Sequence, residues 1–164
     1  MFSPELLDQA EAILAQARAK GLKIATAESC TGGLIAGLLT EIAGSSDVFE
    51  RGFVTYSNKS KTELLGVEDE LIREYGAVSS QVAVAMADGA LTYSGADISI
   101  AVTGVAGPGG GSAHKPVGLV YIASMRIPST VRGGALEYRF GDLGRTEVRL
   151  KTVEAALRIL KQLL

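Results

Sequence analysis

Leu22-Lys23-Ile24-Ala25-Thr26-Ala27-Glu28-Ser29-Cys30-Thr31-Gly32-Gly33 divides into a short apolar run of strand character, Leu22 to Thr26, and a tight turn, Ala27 to Gly33. Leu34, Ile35, Leu38, Leu39 and Ile42 then repeat at helical spacing. Strand, turn and helix in that order hold one side chain at the carboxyl edge of a sheet and aim the free N–H groups of the helix at the same spot. Gly32 and Gly33 let a ligand or a developing oxyanion come close to the backbone. Ser29 is therefore a candidate nucleophile, with Cys30 as its rival next door. An ordinary strand-to-helix loop, in which Ser29 or Thr31 only caps the helix, also accounts for these residues.

Outward from that turn the chain alternates helices and strands. Ser3 and Pro4 open a first helix whose apolar face is Leu6, Leu7, Ala10, Ile13, Leu14 and Ala17, stopped by Gly21. The helix after the turn spans about Gly32 to Ala43. Gly52-Phe53-Val54-Thr55-Tyr56 reads as a second strand, and Asn58 caps a short helix that places Lys61 in its first turn. Helices follow over Glu68–Tyr75 and from Ser79 or Ser80 through Ala90. Ala96 to Val102 reads as a strand with hydrophobic alternation, Val117 to Met125 as another, Ala135 to Phe140 as the last, and Arg145 to Leu164 as a closing helix. This order predicts a three-layer α/β/α sandwich on a mixed, mostly parallel sheet, with residues 1–164 as one domain.

Composition narrows the function classes. The 164 residues are 47% hydrophobic and 21% charged, with a formal net charge of -2, which gives no basic footprint for nucleic acid. One Cys and one His leave no His/Cys metal cage and no intrachain disulfide, so the expected setting is a reducing cytosol, without a metal or other cofactor. The amino-terminal residues lead into a charged amphipathic helix rather than a signal peptide, and no run of about 18 apolar residues suits a membrane span. Glycine is the informative excess, 20 residues where average usage gives about 11 or 12. Many of them follow strands, where α/β folds bind ligands.

A nucleophilic serine needs a base. His114, in a glycine loop, is the one histidine, and no carboxylate sits at an obvious orienting distance from it. A lysine made neutral by burial or by positive potential is the other base known for serine, and Lys61 at a helix amino end fits that description. Tyr56 could relay a proton or hold Lys61. A solvated Lys61 and a half-buried strand tyrosine are the plain alternatives. Thr103-Gly104-Val105-Ala106-Gly107-Pro108-Gly109-Gly110-Gly111 matches neither G-x-G-x-x-G nor a P-loop, yet its backbone N–H groups suit a ribose, phosphate or amide. Arg145 is a candidate fork for a phosphate, with Arg139 and Arg149 as competitors. Glu28 is a candidate partner at the edge of the same site.

These motifs together resemble the CinA carboxy-terminal domain family, whose characterised members are nicotinamide-nucleotide amidohydrolases. The resemblance covers nearly the whole chain. It is carried by Ala27 to Gly33, by Tyr56-Ser57-Asn58 with Lys61 and Leu65-Gly66-Val67, by Gly76-Ala77-Val78-Ser79, by Thr103 to Gly110 and by Lys115-Pro116-Val117-Gly118. The resemblance implies hydrolysis of the carboxamide of nicotinamide mononucleotide to nicotinic acid mononucleotide and ammonia. It implies Ser29 as nucleophile, Lys61 as base and Tyr56 as assistant. The substrate would be bound by Glu28, Thr31, Gly32, Gly33, Asn58, Thr103, Gly104, Ala106, Gly107 and Arg145, in a homo-oligomer. Leu143-Gly144 separate Asp142 from Arg145, a departure from the commoner Gly-Asp-Arg ending that bears on Arg145. Two further readings stay open: a catalytically silent nucleotide- or partner-binding module, and an amidase for another small amide.

Overall fold

Ser3 caps the first helix by accepting from the Leu6 N–H, with Pro4 inside the helix start. In the computed structural model, which describes residues 2–128 and 134–164, the chain then runs α1 (Pro4–Ala19), β1 (Ile24–Glu28), α2 (Leu34–Glu41) and β2 (Phe49–Val54). Three helices follow, α3 (Asn58–Leu65), α4 (Asp69–Tyr75) and α5 (Ser80–Ser94). After them come β3 (Ile98–Gly104), β4 (Leu119–Arg126), β5 (Ala135–Arg139) and α6 (Arg145–Leu163). The first strand begins at Ile24 rather than Leu22 because the Leu22 N–H is still bonded to the Ala17 carbonyl of α1. The second strand is also shifted, so that Tyr56 lies beyond its end.

The sheet order is β2-β1-β3-β4-β5. β1 pairs in parallel with β2 and β3, whereas β4 runs antiparallel to both β3 and β5, so β4 alone opposes the other four strands. The expected mixed, mostly parallel sheet is present. The chain leaves β1 toward β2 on one side and returns through α5 to β3 on the other. That reversal opens a crevice at the carboxyl ends of β1 and β3, where open α/β sheets bind their ligands.

Helices cover both faces. Ile13 and Leu14 of α1, Ile35, Leu38 and Leu39 of α2, and Val153, Leu157 and Leu160 of α6 pack with Ile24, Ile100 and Ile122 in the larger core. On the other face, Ala83, Met86, Ala87 and Ala90 of α5 meet Ala27, Ala101 and Ala123 of the sheet. Small residues on both sides bring α5 close to the strands. At Gly89 a Cβ would stand 2.0 Å from the Leu65 carbonyl oxygen, so α3 crosses α5 at a distance only glycine permits. That crossing presses α3 down on the carboxyl end of β1.

Candidate active site

Successive side chains of a strand point to opposite faces. In β1, Ile24 packs in the larger core with α1, α2 and α6, whereas Ala27 packs with α5. Continuing the alternation sends Glu28 to the α2 face and Ser29 to the face that α3 and α5 cover. Lys61 comes down from α3 onto Ser29: its Nζ lies 3.0 Å from Ser29 Oγ and 2.7 Å from the Thr55 carbonyl oxygen, with the Tyr56 carbonyl at 3.5 Å. The lysine is 1% exposed. Among the described residues no carboxylate pairs with it. Burial of an unpaired ammonium therefore pulls its pKa from 10.5 down to about 8. In the neutral amine the two carbonyls take the two N–H bonds, and the lone pair is left facing Ser29 Oγ.

The helix that carries Lys61 is capped by Ser57, whose hydroxyl accepts from the Ser60 N–H. Asn58 is thus the first residue of α3 and not its cap, and Lys61 falls one position deeper than the sequence reading placed it. The deeper position turns Lys61 inward. Asn58 itself is exposed and stands outside the pocket, so the structure does not bring it to the site.

Ser29 and Lys61 open into a cavity of about 290 Å³ at the β1/β3 crevice. Thr103 at the end of β3, then Gly104, Ala106 and Gly107 of the glycine loop, form one wall. The Thr103 hydroxyl donates to the Ala77 carbonyl at 2.8 Å and so fastens the loop before α5 to the sheet. Ala77 and Val78 complete that wall; periodicity gives no sign of them, since they belong to a connection without a regular element. At the mouth, Arg145 donates to the Gly107 carbonyl at 2.9 Å and to the Tyr56 hydroxyl at 2.7 Å. Tyr56 is exposed, not half-buried, and it touches Lys61 through its backbone carbonyl while its ring meets Arg145.

Other expected site residues have different work. The buried Glu28 carboxylate accepts from the Thr31 hydroxyl and from the N–H groups of Gly33, Ile35 and Ala36, at 2.6 to 3.1 Å. It caps α2, whose N-cap Gly33 has no side chain to do so. Glu28 and Thr31 are fully engaged with each other and with α2, and neither they nor Gly32 and Gly33 line the cavity. These four residues build and support the turn beside the cavity. Arg149 also serves the turn, donating to the Cys30 and Thr31 carbonyls. Arg139 pairs with Glu137 on β5, which leaves Arg145 as the arginine at the cavity. The Cys30 thiol packs in the larger core, where burial pushes its pKa up to about 12, and His114 is exposed and outside the cavity. Among the described residues no three His, Cys, Asp or Glu side chains converge to hold a metal ion, and no helix is long and apolar enough to cross a membrane.

The family model for the CinA C-terminal domain matches residues 7–164. The chain belongs to the CinA C-terminal domain family. The nicotinamide-nucleotide amidohydrolase PncC of Escherichia coli K12 is 45% identical over 99% of this chain and 96% of its own length. A CinA-like protein of Colwellia psychrerythraea is 61% identical over 70% of this chain, but only 26% of that protein is covered. Several of the curated CinA relatives are longer in this way, and the chain spans 26% to 36% of four of them. Among solved structures, the competence/damage inducible protein CihA of Agrobacterium tumefaciens superposes with a TM-score of 0.96 at 53% identity, covering 99% of this chain and 98% of that one. A CinA superfamily protein of Escherichia coli gives 0.91 at 32% identity over 100% of this chain and 94% of that one.

Proposed function

We propose that this CinA-family chain hydrolyses the carboxamide of nicotinamide mononucleotide to nicotinic acid mononucleotide and ammonia, as a step in pyridine nucleotide recycling. One observation carries the chemistry: a buried lysine amine, free of any carboxylate among the described residues, 3.0 Å from a serine hydroxyl at the floor of a cavity. The substrate class comes from the relative named for that amidohydrolase activity over nearly its full length.

In the proposed reaction neutral Lys61 takes the Ser29 hydroxyl proton as Oγ bonds to the amide carbon, and the carbonyl electrons move onto oxygen. Backbone N–H groups beside the turn hold that oxyanion. Collapse breaks the C–N bond, and the Lys61 ammonium returns the proton to the departing nitrogen, which leaves as ammonia. The Tyr56 hydroxyl accepts from Arg145, which leaves its O–H free to donate to that nitrogen. Lys61 then deprotonates a water that attacks the Ser29 ester, and Oγ recovers its proton as the acid leaves. Arg145, with N–H groups beyond the two already bonded, takes the substrate phosphate at the mouth. The reading treats residues 1–164 as one catalytic domain, acting in the cytosol as a homo-oligomer without a cofactor.

The test is ammonia release from purified protein and nicotinamide mononucleotide without added metal, beside Ser29→Ala. Release by the wild type alone is the expected result. Release by both removes Ser29 as nucleophile, and release by neither favours a binding module or a different amide.

A further inference from the structure

The turn that carries Ser29 is gripped from the far face of the sheet. Arg149, one helical turn beyond Arg145 on α6, donates from Nε to the Cys30 carbonyl at 3.2 Å and from Nη2 to the Thr31 carbonyl at 2.8 Å. A planar guanidinium can hold two carbonyls in fixed directions, which a lysine ammonium cannot. Across a trans peptide, the C=O and the following N–H point opposite ways. Holding the Cys30 and Thr31 carbonyls therefore fixes the two peptide planes that follow Ser29's neighbour Cys30.

The remaining polar groups of the turn are accounted for. The Gly32 N–H donates to the Ser29 carbonyl at 3.1 Å, and Glu28 takes the N–H groups of Gly33, Ile35 and Ala36. The Cys30 and Thr31 N–H groups have no acceptor among the described residues. Of these two residues Cys30 lines the cavity with Ser29, so its N–H is the free donor next to the Ser29 hydroxyl.

We propose that Arg149 is a positioning residue, which by fixing the Cys30 and Thr31 carbonyls holds the turn so that the Cys30 N–H stays at the cavity as an oxyanion donor for Ser29. The inference rests on Ser29 being the nucleophile of an acyl transfer. It makes Arg149 a residue that acts without touching substrate, and it separates the two neighbouring arginines of α6: Arg145 serves the ligand and Arg149 the turn.

A fluorophosphonate probe reads the turn without the amide substrate, because it reacts with serine where an activated oxygen and an oxyanion site lie together. In Arg149→Ala the labelling rate of Ser29 and kcat for ammonia release are expected to fall about 100-fold while KM changes less than about threefold. Guanidinium in the buffer restores part of both rates, Arg149→Lys remains about tenfold slow, and the pH midpoint near 8 stays in place because the Lys61–Ser29 pair is untouched. Where Arg149→Ala does not fold, Arg149→Lys against the wild type carries the same comparison. Rates within about threefold of wild type in a folded variant, or a loss with a moved pH midpoint and no guanidinium rescue, would overturn the inference. Wild-type labelling without ammonia release removes nicotinamide mononucleotide as substrate, while the Arg149 comparison still stands on labelling. Absence of Ser29 labelling in the wild type, judged against Ser29→Ala, overturns both.

Discussion

Lys61→Met is expected to abolish turnover and to make the protein more stable near neutral pH. The lysine is 1% exposed and its pKa lies at about 8 instead of 10.5. A displacement of that size corresponds to roughly 3 kcal/mol of destabilisation by the buried charge. Methionine fills a similar volume without the charge, but it leaves the Thr55 carbonyl without its donor, at a cost of about 1 to 2 kcal/mol. The net expectation near pH 7 is a gain of about 1 to 2 kcal/mol. The sign of the pH dependence follows from the depressed folded value. Below about 8 the lysine is protonated both folded and unfolded, and the penalty is constant. Between about 8 and 10.5 the unfolded chain binds more protons, so the wild type gains stability as pH rises. By pH 9 that gain is about 1 kcal/mol, and the advantage of the variant shrinks accordingly. Urea unfolding of both proteins at pH 7 and pH 9 makes the comparison. A variant less stable than wild type at pH 7, by an amount that does not change with pH, would refute the account of Lys61 as a desolvated, unpaired base.

Further outcomes follow from the same geometry. Because the neutral amine is the reactive form, kcat/KM for nicotinamide mononucleotide should rise about 50-fold from pH 6 to pH 8 and level off above it, as read in a steady-state pH profile. Gly89→Ala places a Cβ 2.0 Å from the Leu65 carbonyl oxygen. It should cost about 1 to 3 kcal/mol in urea unfolding, and it should lower kcat more than tenfold, on the order expected for a shifted catalytic group, by moving α3 and Lys61 off Ser29. Arg145→Ala should raise KM for nicotinamide mononucleotide about tenfold or more and leave that for the unphosphorylated riboside nearly unchanged, which a paired ammonia assay resolves.

Much of this architecture is legible along the chain because its cues are local. Ser3 with Pro4 and Ser79 mark helix starts that the structure uses, and the apolar runs of β3 and β4 mark buried strands. The pairing of Ser29 with Lys61, chosen because histidine is scarce, brings together two residues that meet in space. What is not legible is the burial of Lys61, since it depends on Gly89 and Leu65 meeting across two helices. Strand alternation is the signal that separates Glu28 from Ser29: it sends the Glu28 carboxylate under α2, where it caps that helix. Arg149 had a signal as well, standing four residues after Arg145 on one helix face, but which carbonyls it meets depends on how α6 packs.

The one-residue step between Glu28 and Ser29 makes β1 intolerant of a change in length. A single deletion within Ile24–Glu28 would slide the strand by one pleat. The carboxylate would then arrive beside Lys61 and the hydroxyl would go under α2. The lysine would gain an ion-pair partner and lose its basicity toward serine, and α2 would lose the anion at its amino end. Related sequences are therefore expected to keep the residue count of this strand.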